Sequence, residues 1–157
     1  MTRFMGMHTN RLDKKGRVSV PAPFRAVLTQ LQSEDLILRP SHQHSCLEGW
    51  PATVFDELAD RLEGFDVFSE DQDDLSAALY AEACPLRPDA DGRIMLPEHL
   101  IAFAGLQENI VFMGRGRIFE IWEPEGAKQR VAQSRLQARE RGLTLPPRGP
   151  RAPEGTA

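Results

Sequence analysis

The chain is poor in the features that mark several large classes of protein. Its 157 residues include only two cysteines, Cys46 and Cys84, which give no disulfide framework and favour a reducing cytoplasm. No apolar run approaches the roughly 18 residues that a membrane-spanning helix needs. The residues up to His8 also lack the apolar stretch of a signal peptide. We therefore expect a cytoplasmic protein that does not enter a membrane.

Motifs of the common catalytic and cofactor sites are missing as well. The chain has no Gly-x-Ser-x-Gly, no Walker loop and no His-Glu-x-x-His, and the acidic residues 70–74 lack the spacing of a metal-binding loop. His42, His44 and Cys46 alternate and are ligand types that zinc accepts, but a fourth ligand is not evident and a solvated turn is favoured. We expect no enzymatic activity, no cofactor or metal, and no small-molecule substrate.

What the chain does contain is one pattern that occurs twice. The segment Asp13-Lys-Lys-Gly-Arg-Val-Ser-Val-Pro21 recurs as Asp89-Ala-Asp-Gly-Arg-Ile-Met-Leu-Pro97, a shift of 76 positions. Matching Glu-x-Trp segments follow downstream and end at Trp50 and Trp122. An internal duplication predicts two copies of one structural unit. The pattern of each copy indicates a strand, a helix, two strands and a second helix.

Local chemistry indicates where these elements begin and end. The glycine of each motif suits a turn, the alternating apolar residues after it predict a strand, and the following proline fits the first turn of a helix. Ser69 and Gln72 can form a capping box for a helix that ends near Ala83. Glu125 to Arg141 is predicted to be a basic helix.

Duplication and composition together divide the chain into five predicted segments. They are a first copy of the repeat at residues 4–50, a helical acidic connector at 51–83, a second copy at 84–126, a C-terminal basic helix at 127–141 and a Pro-rich tail at 142–157. The tail contains four prolines and three glycines, which predicts disorder.

Charge is unevenly distributed along the chain. The total is −4, but residues 48–91 alone carry −11, whereas residues 1–47 carry +4 and residues 92–157 carry +3. Such asymmetry is a better guide to partners than the total charge. The first copy of the motif and most of the second lie in the two basic regions, which are compatible with an anionic partner such as DNA.

The paired Asp-x-x-Gly-Arg loops are the candidate binding site. Arg17 and Arg93 each follow a glycine turn, and the planar fork of arginine suits phosphate and the edge of guanine. Each aspartate could instead only clamp its own turn as an ion pair, and both roles are compatible. Basic neighbours add charge, mostly to the first loop, so we expect that loop to bind phosphate better. The predicted DNA-binding residues are Arg11, Asp13, Lys14, Lys15, Arg17, Arg87, Asp89 and Arg93.

Other residues that could contact a nucleic acid have simpler explanations. Trp50 and Trp122 could stack on bases, but their matched positions favour core packing. Arg115 and Arg117 could touch phosphate or an adjacent subunit, with a solvated hairpin tip as the default. The predicted basic helix more often indicates a solvated face than a nucleic-acid helix.

The twin motif resembles the SpoVT/AbrB-type swapped-hairpin module, and two such modules in a chain of this length resemble the MraZ family of bacterial transcriptional regulators. The resemblance covers about residues 4 to 141. It implies an α+β, β-rich fold in which tandem AbrB-like repeats form an intrachain pseudo-dimer with flanking helices. It also implies ring-shaped homo-oligomers. The family's Asp-x-x-x-Arg loops, which meet DNA, fall on Asp13 and Arg17 and on Asp89 and Arg93.

The function implied by this resemblance is sequence-specific binding of double-stranded promoter DNA. The protein would then be a nucleoid-associated repressor that acts at direct repeats upstream of its own cell-division and cell-wall gene cluster. The alternative is an oligomeric interaction module, antitoxin-like or a scaffold, without specific DNA binding. In that case the basic helix and the tail would engage a protein partner.

Overall fold

The computed structural model of the protein describes residues 2–149. It contains two copies of one six-element repeat joined by a helix. The first copy comprises β1 (Met7–Arg11), β2 (Arg17–Ser19), α1 (Ala22–Gln30), β3 (Leu36–Pro40), β4 (Leu47–Pro51) and α2 (Ala52–Leu62), and α3 (Glu70–Tyr80) follows it. The second copy comprises β5 (Cys84–Leu86), β6 (Arg93–Met95), α4 (Glu98–Ala104), β7 (Asn109–Gly114), β8 (Phe119–Trp122) and α5 (Pro124–Glu140).

Each repeat begins with a strand that the sequence pattern did not indicate. The pattern of each copy predicted three strands, but β1 precedes the first motif as a fourth. Strand β5 has three residues and includes Pro85, which hides its strand character. Proline is tolerated there because β5 is an edge strand of its sheet. Both strands form through pairing with the other repeat, which short-range patterns do not reveal.

The two repeats exchange strands. A six-stranded antiparallel sheet has the order β1-β7-β8-β4-β3-β5, so that β1 of the first repeat pairs with β7 of the second, and β5 of the second pairs with β3 of the first. Strands β2 and β6 form a separate two-stranded ribbon. This exchange confirms the predicted pseudo-dimer of swapped hairpins within one chain.

One apolar core is shared by both repeats. Phe24 of α1 is 1% exposed, and its ring lies 5.1 Å from Phe4 and 5.4 Å from Phe119. Val18 of β2 and Ile94 of β6, which are 1% and 2% exposed, face the same core. The ribbon is therefore held to the sheet and helices by the side that carries Val18 and Ile94, which leaves its other side outward.

The Glu-x-Trp segments are structural. The indole N–H of Trp50 donates to Glu48 at 3.0 Å, and that of Trp122 donates to Glu120 at 2.9 Å. The two glutamates are buried and stand directly opposite each other on β4 and β8. Arg39, which is 0% exposed, forms an ion pair with Glu48. These contacts favour core packing over base stacking for both tryptophans.

The predicted helix ends agree closely with the structure. The Ser69 hydroxyl accepts the backbone N–H of Gln72 at 3.1 Å and caps α3, although α3 ends at Tyr80 rather than near Ala83. Gly105, with φ of +62°, ends α4 in the left-handed conformation that glycine adopts readily. The described residues from Lys128 to Gly149 belong to a second compact unit, which contains the rest of α5.

The structure describes only the first part of the predicted tail. Residues 143–149 contain neither helix nor strand, and residues 150–157 of the tail lie outside the described residues. Within residues 2–149, no helix is both long and apolar enough to span a bilayer.

Candidate nucleic-acid interface

The first loop is held by a single carboxylate. One oxygen of Asp13 accepts the backbone N–H groups of Lys15 at 2.9 Å and Arg17 at 2.8 Å, while the other accepts the Nε–H of Arg17 at 2.9 Å. Among the described residues, Arg17 makes no further side-chain hydrogen bond, so its two terminal nitrogens remain available. Asp13 therefore closes the turn and orients Arg17 at the same time.

The second loop repeats this geometry with an additional acid. Asp89 accepts the backbone N–H groups of Asp91 at 2.9 Å and Arg93 at 3.0 Å, and its second oxygen lies 3.4 Å from Nε of Arg93. A terminal nitrogen of Arg93 also donates to Asp91 at 3.2 Å. Two carboxylates thus share the charge of Arg93, whereas only one contacts Arg17.

Both aspartates are ionised at neutral pH. The backbone N–H of Arg17 is the largest cause that lowers the pKa of Asp13, and the backbone N–H of Arg93 has the same effect on the pKa of Asp89. Each carboxylate therefore remains a charged anchor for its arginine throughout the physiological range.

The ribbon brings the two loops together. Arg17 pairs with Met95, Val18 with Ile94, and Ser19 with Arg93 in the antiparallel register. Successive side chains of a strand alternate between faces, and directly opposite residues share a face. Because Val18 and Ile94 point to the core, the outer face carries Arg17, Ser19, Arg93 and Met95. The two arginines are diagonal neighbours, with Cα atoms on the order of 7–8 Å apart.

Each glycine turn also closes the strand of the other repeat. The carbonyl of Gly16 accepts the N–H of Leu96 at 2.8 Å, and the carbonyl of Gly92 accepts the N–H of Val20 at 2.9 Å. Gly16 has φ of +85°, and a Cβ there would lie 3.1 Å from the Leu96 carbonyl oxygen. A side chain at Gly16 would therefore disturb the turn and the ribbon together.

Arg25 is a candidate interface residue that the sequence reasoning missed. It lies on α1 of the first repeat, but its side chain contacts the second loop: a Cβ on Gly92 would lie 2.6 Å from its Cδ. Its Nε–H donates to the carbonyl of Val20 at 3.2 Å. The equivalent position near the first loop is Ile101. Aligning the two copies of the sequence would have shown that this basic residue has an apolar counterpart in the second copy.

The remaining predicted contacts differ in how much of their charge is available. Arg11, Lys14 and Lys15 are exposed, and the first two line a groove of about 390 Å³ beside Asp13. Arg87 instead donates to Asp35 at 2.9 Å and lies 3.5 Å from Glu34. Its charge is therefore partly compensated, and Arg25 is the better source of positive charge for the second loop.

Two further basic residues are occupied by ion pairs. Arg117 donates to both carboxylate oxygens of Glu57, at 2.8 and 2.9 Å, and Arg115 donates to Glu120 at 2.7 Å. These pairs join the β7–β8 turn to α2 and to β8. Both arginines are thus bound within the fold and are weaker candidates for phosphate.

The alternating histidines and cysteine do not assemble. His42 lies 3.3 Å from a terminal nitrogen of Arg39, and the ring of His44 lies 6.1 Å from that of Trp122. Across residues 2–149, no three histidine, cysteine or acidic side chains are grouped so that they could hold a metal ion.

Fold and loops together define a duplicated swapped-hairpin protein of the SpoVT/AbrB type. The family model described as "MraZ protein, putative antitoxin-like" matches residues 3–77 and again residues 79–144. The transcriptional regulator MraZ of Gluconobacter oxydans is 53% identical over 142 residues, which is 88% of this chain and 87% of that protein. The same regulator of Gluconacetobacter diazotrophicus is 47% identical over 154 residues, 96% of both chains.

More distant relatives share the same extent. The transcriptional regulator MraZ of Rickettsia bellii is 39% identical over 136 residues, 87% of this chain and 91% of that protein. The chain therefore belongs to the MraZ family of transcriptional regulators.

Proposed function

We propose that this protein is a sequence-specific DNA-binding repressor that acts in the cytoplasm, at the nucleoid. Its sites are direct repeats upstream of its own cell-division and cell-wall gene cluster. The observation that carries this proposal is the outer face of the β2–β6 ribbon. That face presents one aspartate-oriented arginine from each repeat, Arg17 and Arg93, on a rigid two-stranded element.

A two-stranded ribbon has dimensions suited to this task. The major groove of B-DNA is about 12 Å wide and admits a β-ribbon, and arginine can donate two hydrogen bonds to a guanine edge there. Contacts to phosphate fix the register of the protein, while contacts to base edges give specificity. In this proposal Arg17 and Arg93 contact base edges or phosphates, and Lys14, Lys15 and Arg25 contact the flanking phosphates.

Self-association into a ring completes the proposal. The loop between α2 and α3 carries Val67 and Phe68, which are 75% and 95% exposed. Adjacent exposed apolar side chains can form part of a contiguous apolar patch, which is typical of an interaction surface. A ring would offer several ribbons to consecutive repeats, so that each contact raises the effective concentration of the next. Phe68→Ser should lower the mass measured by light scattering, whereas Leu145→Ser, at another exposed apolar residue, should leave it unchanged.

The binding test compares upstream DNA that contains the repeats with a scrambled duplex of the same length. Fluorescence anisotropy at two salt concentrations should show tighter binding to the repeats, and weaker binding as salt rises. Arg17→Ala should lose affinity, and Arg61→Ala, a change of equal charge on α2, should retain it. Equal, weak binding of both duplexes would refute specific recognition.

The family description also supports a second candidate, an antitoxin-like interaction module. In this case the basic helix and the tail would hold a protein partner. Deleting residues 142–157 separates the two functions. A repressor that binds through its ribbon keeps its DNA affinity after this deletion, whereas a module that binds through its tail loses its protein complex.

A further inference from the structure

The outer face of the ribbon is symmetric in backbone but not in side chains. Ser19 and Met95 occupy equivalent positions of the two repeats, 76 residues apart. Both are exposed, and Met95 is 57% exposed, although the opposite side of its strand is buried. Met95 thus displays an apolar side chain on the same face as Arg17 and Arg93, between the two charged loops.

Pairing across the ribbon makes two unlike units from the four outer side chains. Met95 stands directly opposite Arg17, and Ser19 stands directly opposite Arg93. The Arg17–Met95 unit adjoins the loop that carries two lysines, whereas the Arg93–Ser19 unit adjoins Asp91. One end of the face is therefore cationic and apolar, and the other is polar and partly neutralised.

We propose that Met95 recognises the methyl group of a thymine beside the base contacted by Arg17. This inference rests on the proposed DNA-binding function and deepens it. The 5-methyl group of thymine is the one apolar feature that a base pair displays in the major groove. Methionine is flexible and polarisable and packs well against such small apolar groups. The hydroxyl of Ser19 can accept or donate a hydrogen bond, so it discriminates little between bases.

The spacing permits both contacts at once. Directly opposite residues on one face have Cβ atoms about 4.5–5.5 Å apart, and successive base pairs are separated by about 3.4 Å. Arg17 and Met95 therefore reach the same or neighbouring base pairs. Because the Arg93–Ser19 unit lacks the apolar member, the ribbon distinguishes the two directions of its site and suits repeats of one orientation.

The test uses a duplex with a single repeat in which each thymine is replaced, one at a time, by deoxyuridine, which lacks only the methyl group. For the unsubstituted chain, one replacement should weaken binding by about 3- to 5-fold, the effect of losing one buried methyl group. Met95→Ser should bind the intact repeat less tightly by a similar factor and should be insensitive to that replacement. Met95→Leu, which keeps an apolar side chain, should remain sensitive.

A reciprocal variant tests the orientation. Ser19→Met makes the two units alike at this position and should add a second thymine whose methyl group contributes to affinity. If the unsubstituted chain binds the repeat specifically but Met95→Ser keeps every sensitivity to deoxyuridine, the role of Met95 is refuted while DNA binding stands. If the unsubstituted chain does not prefer the repeat to a scrambled duplex, both proposals are wrong.

Discussion

Position 91 offers a gain-of-affinity test of whether the second loop meets DNA. Asp91 is the extra acid of that loop: its carboxylate accepts a hydrogen bond from Arg93 at 3.2 Å, and its side chain is 75% exposed. The equivalent residue of the first loop is Lys15. Asp91→Lys therefore releases Arg93 from one of its two acids and adds a cation at the loop tip, which reproduces the charge pattern of the first loop.

The size of the effect follows from counterion release. Each new phosphate contact steepens the dependence of log K on log salt by about 0.9. When the salt concentration rises from 50 to 200 mM, one additional contact increases the loss of affinity by about 3.5-fold, and two contacts increase it by about 12-fold. We expect Asp91→Lys to gain one contact from the new lysine and up to one more from the released Arg93.

The assay is an anisotropy titration of a single-repeat duplex over that salt range. Lys15→Asp should reduce the salt dependence by a comparable amount. Asp71→Lys on α3 is the matched control, because it changes the net charge equally at an exposed site of a different element. If Asp91→Lys changes the slope no more than Asp71→Lys does, the second loop does not contact phosphate and the reasoning is wrong.

Four further predictions concern the loops and the sheet. Arg25→Ala should weaken binding to specific and scrambled DNA alike and reduce the salt slope by about one, as expected for a phosphate contact; a loss confined to the repeat would contradict this role. Asp13→Asn keeps an oxygen for the two backbone N–H groups but loses the charge that holds the arginine, so affinity should fall while the melting temperature changes little. Because the pKa of Asp13 is lowered, its stabilisation of the loop is present at neutral pH and is lost only as pH falls through the lowered pKa, below the usual value of 3.8, which circular dichroism and anisotropy can follow. Gly49→Ala places a Cβ 2.3 Å from the ring of Phe119 and should cost about 1–3 kcal/mol in urea unfolding, whereas Gly149→Ala meets nothing within 4 Å and should cost little.

Features that depend on neighbouring residues could be predicted from the sequence. The aspartate and glycine of each motif specify a turn because the carboxylate accepts nearby backbone N–H groups and glycine adopts positive φ. Ser69 marks the start of α3, and Gly105 marks the end of α4. The repeated motif also identified Arg17 and Arg93 as a pair, since duplication places equivalent residues in equivalent environments.

Features that depend on contacts between residues far apart in the sequence could not be predicted in this way. Arg39 resembles an ordinary surface residue in sequence, yet it is fully buried because Glu48 and carbonyl oxygens of α3 satisfy its guanidinium. Strand β5 is recognisable only through its partner β3. Arg25 belongs to one repeat and lies beside the loop of the other, so its role depends on the exchange of strands and not on its own helix.

The balance between identity and divergence in the two loops has a physical explanation. Gly16 and Gly92 each accept a backbone hydrogen bond from the opposite repeat, so a disturbed turn in one half would open the ribbon in both. Asp13 and Asp89 hold these turns, which requires the same residue twice. The side chains at the loop tips do not hold the turns in this way: they are lysines in the first loop, and an alanine and an aspartate in the second. The fold therefore requires the symmetric backbone of the two loops. The side chains at the tips and on the outer face are not constrained in this way and can differ, which suits an asymmetric partner such as a direct repeat, whose sequence has one direction.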